Sequence, residues 1–136
     1  MHTVVEQPAR ARLITSERQD VPVFATLRYV PADPLAVHVD FPADVSLDGR
    51  PVSWAFSREL LREGMETPAG HGDIHVWPCG RALTVLEFHS PDGMALVQFD
   101  TDVMRRFLLR TCAIVPVGQE DLGPAVDRGL YALVDG

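Results

Sequence analysis

The chain has 136 residues, 46% of them hydrophobic and 23% charged, a make-up suited to one ordinary globular domain, residues 1–136, and too short for a long repeat array. Its 12 basic residues, all arginine, face 19 acidic ones for a formal charge of −7, so nucleic acid, which needs a clustered positive footprint, is a disfavoured partner. Two cysteines imply no disulfide framework, and without an apolar leader or an 18-residue apolar run the chain is expected in the cytosol, with no direct membrane insertion.

In chain order, residues 1–10 read as a flexible N-terminal extension ahead of a first alternating segment from about Ala11 to Thr15. From Pro22 to Val30 the alternation puts Val23, Ala25, Leu27 and Tyr29 on one face and Phe24, Thr26, Arg28 and Val30 on the other, as in a half-buried strand. Pro31 and Pro34 break it into a turn. Leu35 to Phe41 resumes as an antiparallel return strand with Leu35, Val37, Val39 and Phe41 inward. Asp48-Gly49 predicts a hairpin turn into Val52–Phe56. The period then changes to a helix that Ser57 caps and Gly64 closes, with Leu60 and Leu61 inward and Arg58, Glu59, Arg62 and Glu63 forming an outward face of both charge signs.

After the glycine link Gly70-His71-Gly72, strands are predicted over Asp73–Trp77, Leu83–Phe88 and Met94–Phe99, the last two joined at Pro91-Asp92-Gly93. A second helix over Thr101–Cys112 turns Val103, Met104, Phe107, Leu108 and Thr111 inward and Arg105, Arg106 and Arg110 outward, with Asp100 or Thr101 as its cap. Past Val115-Pro116-Val117-Gly118, Asp121 or Gly123 with Pro124 opens a last helix whose stripe is Val126, Leu130 and Val134. Strands lead twice to a capped helix, so the expected architecture is α+β: two antiparallel β-sheets with helices at one end, built from a duplicated sheet-plus-helix unit.

The densest chemistry lies in His71, Asp73, His75 and Cys79, all ligand types that zinc accepts. Their spacing matches no usual zinc pattern, and Pro78 bends the approach to Cys79, so no metal is assigned. No G-x-S-x-G turn or glycine-rich phosphate loop occurs, and the absence of lysine removes the P-loop, so neither a catalytic residue nor a cofactor is expected. Trp54, Trp77 and Phe88 are able to stack on single-stranded bases, but core packing suits them better in a chain this acidic.

The block Val52-Ser53-Trp54-Ala55-Phe56-Ser57-Arg58-Glu59-Leu60-Leu61, then Gly64, Pro68, Gly70, Gly72, Asp73 and Pro78, then Phe107-Leu108, Thr111 and Val115-Pro116-Val117-Gly118-Gln119-Glu120, resembles the SsgA-like proteins of sporulating actinomycetes. The resemblance runs from about Ala11 to Leu133. It implies a non-catalytic regulator of sporulation-specific cell division, recruited to the septum. Such a regulator acts through contacts with division proteins such as the tubulin-like FtsZ or another family member, in septum placement or in septal wall remodelling. It also implies a Whirly-like fold and a homo-oligomer, a trimer in one member. The Whirly likeness carries an alternative, a single-stranded nucleic-acid-binding module, that the charge opposes. On this reading Trp54, Phe56, Leu60, Leu61, Gly64, Gly72 and Asp73 are structural, and Arg58, Glu59, Arg62 and Glu63 are the candidate partner contacts.

Overall fold

Period-two alternation places the core on one face of a long sheet in the computed structural model, which describes residues 4–14, 21–43, 49–91 and 93–120. The strands are β1 (Val5–Ile14), β2 (Val21–Tyr29), β3 (Ala36–Phe41) and β4 (Val52–Ser57), then β5 (Ala69–His71), β6 (Ile74–Cys79), β7 (Leu83–Ser90) and β8 (Gly93–Asp100). Helix α1 (Arg58–Gly64) follows β4, and α2 (Thr101–Ile114) follows β8. On β2, Val23, Ala25, Leu27 and Tyr29 are buried while Phe24 on the opposite face is exposed, as the alternation predicts. Val37, Val39 and Phe41 do the same on β3, but Leu35 lies just before that strand and is exposed.

The predicted pair of sheets is instead one antiparallel sheet in the order β4-β3-β2-β1-β8-β7-β6-β5. Each half is a four-strand meander, and the halves are joined where Ala11–Ile14 of β1 pairs with Leu96–Phe99 of β8. The sheet curls on itself. Phe88 of β7 meets Phe41 of β3 edge-on at a ring separation of 5.8 Å and Trp54 of β4 at 5.0 Å, although those strands are far apart in sheet order. Helix α1 rests on β4, β5 and β6, so it touches both edge strands and closes the curl. Helix α2 rests on β1, β7 and β8, burying Met104, Phe107, Leu108 and Thr111.

Residues 5–10 are not a flexible extension; they belong to β1, second to none in centrality, with Val5, Gln7 and Ala9 buried. A proline and a glutamine inside a strand, Pro8 and Gln7, run against strand propensity and need particular surroundings. Pro8 is tolerated because β1 pairs with β8 only from Ala11 onward, leaving Pro8 paired with β2 alone, opposite Thr26. Gln7 is satisfied by α2: its Nε2 donates to the Val103 carbonyl at 2.9 Å, and Arg110 Nη1 donates to its Oε1 at 3.2 Å.

Local turn and cap chemistry holds elsewhere. Ser57 caps α1 by accepting from the Leu60 amide at 2.9 Å. Ser90 pairs with Gly93 across the β7–β8 connection. Asp100 occupies the cap position of α2 without a side-chain bond, while Thr101 Oγ1 pairs with Thr84 Oγ1 at 2.9 Å inside the core. Asp48, Asp92 and the predicted last helix with Val126, Leu130 and Val134 lie outside the described residues.

Candidate interaction surface

The block at β4 and α1 splits into a buried half and an exposed half, and the division differs from the one expected. Phe56, Leu60 and Leu61 are buried, and half-buried Trp54 packs on Phe88. Gly64 is the last residue of α1 and has no left-handed cap geometry; it is glycine because Val76 of β6 presses against its Cα, leaving no room for a Cβ. Gly72, by contrast, sits at φ +63° in the β5–β6 turn, where a side chain is strained. Asp73 beside it is exposed and holds the turn to β7 through its carbonyl, which accepts from the His89 amide at 2.8 Å.

Arg58 does not lie on the outward face of α1. It is 4% exposed, and its guanidinium carbon lies 5.1 Å from the Tyr29 ring centre. Nη1 donates to the Val115 carbonyl at 2.7 Å and Nη2 to Glu120 Oε1 at 2.8 Å, while Glu120 Oε2 accepts from the Gly118 amide at 2.9 Å. The backbone amide of Glu120 itself and then Arg58 hold the Glu120 carboxyl below the usual carboxylate range. Burial pushes the Tyr29 phenol up, and its hydroxyl donates to the Pro34 carbonyl at 2.9 Å. An arginine suits this place because its fork satisfies several acceptors while its flat face covers an aromatic ring.

What remains on the outward face of α1 is Glu59, Arg62 and Glu63. Arg62 Nε donates to Glu59 Oε2 at 2.9 Å, and Arg62 holds the Glu59 carboxyl below its ordinary value. Both side chains are more than half exposed, so the pair adds little to stability and is free to exchange partners. Beside this face runs a groove of about 240 Å³ between the two helices, with Glu59, Arg62, Glu66 and Arg105 along its edges.

The four ligand-type residues are spread out. His71, Asp73, His75 and Cys79 are all exposed; Cys79 ends β6, four residues beyond His75, roughly 13 Å along an extended strand. His75 instead lies edge-on to His89 at 5.4 Å, and His89 Nε2 pairs with Glu87 Oε1 at 2.8 Å. Among the described residues, no three His, Cys, Asp or Glu side chains come together as a metal site. No described helix is long and apolar enough to cross a membrane. On the sheet's outer face a shallow groove of about 790 Å³ includes Arg10, Arg12, Phe24 and Asp100, with the Arg10 guanidinium 5.5 Å from the ring centre of exposed Phe24.

Residues 23–120 match the family model described as Streptomyces sporulation and cell division protein, SsgA. The chain belongs to the SsgA family. Among its relatives, a sporulation-specific cell division protein SsgB of Salinispora tropica is 45% identical over 133 residues, 93% of this chain and 92% of that one. The SsgB of Streptomyces coelicolor is 40% identical over 123 residues, 88% of each. An SsgA-like sporulation-specific cell division protein of Thermobifida fusca has a solved structure that superposes with a TM-score of 0.80 at 33% identity, covering 96% of this chain and 95% of that one. A second solved structure, reported with SsgB mutations that correlate with longitudinal cell division during sporulation of Streptomyces coelicolor, superposes at 0.77 with 38% identity, covering 88% and 94%. The SsgA-family match starts at Val23, inside β2, so it leaves out β1 although β1 completes the sheet.

Proposed function

We propose that this chain is a non-catalytic regulator of sporulation-specific cell division that works by presenting a folded surface to other division proteins. The observation that carries the reading is its near full-length likeness, at 40–45% identity, to proteins named for that process. The exposed contact residues are Glu59, Arg62 and Glu63, with Arg58 holding the framework behind them. FtsZ or another family member is the partner, recruitment to the septum is the setting, and a homo-oligomer, a trimer by family resemblance, is the assembled form. The meander-plus-helix order, present twice, supports a duplicated unit.

The test combines Glu59→Arg, Arg62→Glu and Glu63→Arg in one variant, followed as a fluorescent fusion beside the division ring in the sporulating host. Loss of septal localisation and of partner pull-down, with an unchanged melting curve, is the expected outcome. Normal septation and pull-down would remove this face from the reading.

A second reading, a Whirly-like module for single-stranded nucleic acid, is favoured by the exposed Phe24 with Arg10 stacked on it beside Arg12. The net charge of −7 opposes it. An anisotropy titration with single-stranded DNA at low and physiological salt decides: tight binding with a steep salt slope, lost in Phe24→Ala, would put this reading first.

A further inference from the structure

The two helices carry opposite charge on their solvent sides. On α1 and the turn after it, Glu59, Glu63 and Glu66 are exposed around one cation, Arg62, and three anions against one cation leave a local charge of −2. On α2, Arg105, Arg106 and Arg110 are exposed beside one anion, Asp102, and the same count leaves +2. Leu109, 66% exposed among those arginines, gives the basic face an apolar centre.

Within the chain these faces do not neutralise each other. Among the described residues, the exposed ion pairs of the two helices each stay within one helix, Arg62 with Glu59 and Arg105 with Asp102, and such pairs exchange partners at little cost. Arg106 and Arg110 do not line the groove that separates α2 from α1, so they are turned away from the acids of their own chain. Arg110 donates to two neutral oxygens, Gln7 Oε1 at 3.2 Å and the Glu6 carbonyl at 3.5 Å, which leave its charge uncompensated. Glu59 and Glu63 stand four residues apart, as do Arg106 and Arg110, so each row spans about 6 Å along its helix and the two match in length. The whole chain carries −7, so two copies repel in most orientations, and the approach that sets α2 against α1 is the one electrostatics singles out.

We propose that the basic face of α2, Arg105, Arg106, Leu109 and Arg110, docks on the acidic face of α1, Glu59, Glu63 and Glu66, of a second copy of this chain. The contact joins unlike surfaces, and each copy keeps one face of either kind for the next, the condition for closure into a ring. The inference rests on the reading of the α1 face as a contact surface and names what that face meets in the homo-oligomer. Its test is the mass of the pure chain, whereas that reading is tested by localisation in the cell, so either is able to fail without the other.

Sedimentation of the full chain makes the measurement. Glu59→Arg with Glu63→Arg, and separately Arg105→Glu with Arg106→Glu, set like charges across the contact, and each double variant should dissociate at least about tenfold more readily than the parent. All four substitutions in one chain reverse both faces and restore opposite signs at every contact, so the oligomer should return. The four positions are exposed, and melting curves that match the parent's show that the variants are folded. A salt titration of the unaltered chain needs no variant: rising ionic strength should dissociate it. A monomeric parent, an oligomer indifferent to salt, a folded double variant of the parent's mass, or a folded fourfold variant that stays monomeric would each overturn the proposal.

Discussion

Gly64 and Val76 are packed so closely that a Cβ on the glycine would lie 2.3 Å from the valine Cβ and 2.8 Å from its carbonyl oxygen. Since one of the clashing atoms is backbone, α1 as a whole must lift from β6 to admit even a methyl group. Gly64→Ala is therefore expected to destabilise the fold by about 1–3 kcal/mol, despite alanine's better helix propensity. A urea midpoint equal to that of the wild type would show that α1 moves freely over β6.

Arg58 and Arg62 stand one helical turn apart yet hold opposite stations, the first nearly buried among Tyr29, Val115 and Glu120 and the second more than half exposed. Arg58→Ala should cost about 2–4 kcal/mol, because it strips the Val115 carbonyl and the Glu120 carboxylate of their donor. Arg62→Ala should leave stability nearly unchanged. Chemical denaturation of the two variants side by side checks the contrast, and equal losses would refute the buried assignment of Arg58.

Acid should weaken the fold through Asp40. Arg28 Nε donates to its Oδ2 at 2.8 Å, and these bonds together with Ser53 hold the carboxyl below its ordinary value. A depressed folded-state value means that the unfolded chain binds the proton first as pH falls. The contribution is thus complete above about pH 4 and is lost as pH drops through the lower folded-state value. Melting temperatures taken from pH 7 down to acid should fall less steeply for Asp40→Asn; identical slopes would mean the pair is inert. At about one-third exposure of both side chains the effect is modest.

Deleting residues 1–10 should abolish cooperative unfolding, since it removes Val5, Gln7 and Ala9 from the core and the two hydrogen bonds that tie Gln7 to α2. Circular dichroism during thermal unfolding is sufficient to see this. A truncated chain that melted as sharply as the parent would return this segment to the role of an extension.

Most strands and both described helices were legible from residue order because alternation, proline breaks and capping serine act over a few residues. Val23 to Tyr29 on one face and Ser57 ahead of α1 are examples in which local chemistry already agrees with the tertiary result. Burial of residues 5–10 was not legible, because Pro8 and Gln7 look wrong for a strand until β2 and α2 supply their surroundings.

By itself, the sequence determined most of the elements, the family and the charge balance, all properties of short-range order or composition. Only the tertiary structure decided that the strands join in one curled sheet, because the β1–β8 pairing links residues more than 80 positions apart. It also decided which arginine of α1 is structural: two chemically identical side chains one turn apart differ in nothing but what the rest of the chain brings against them, and Tyr29, Val115 and Glu120 arrive only at Arg58.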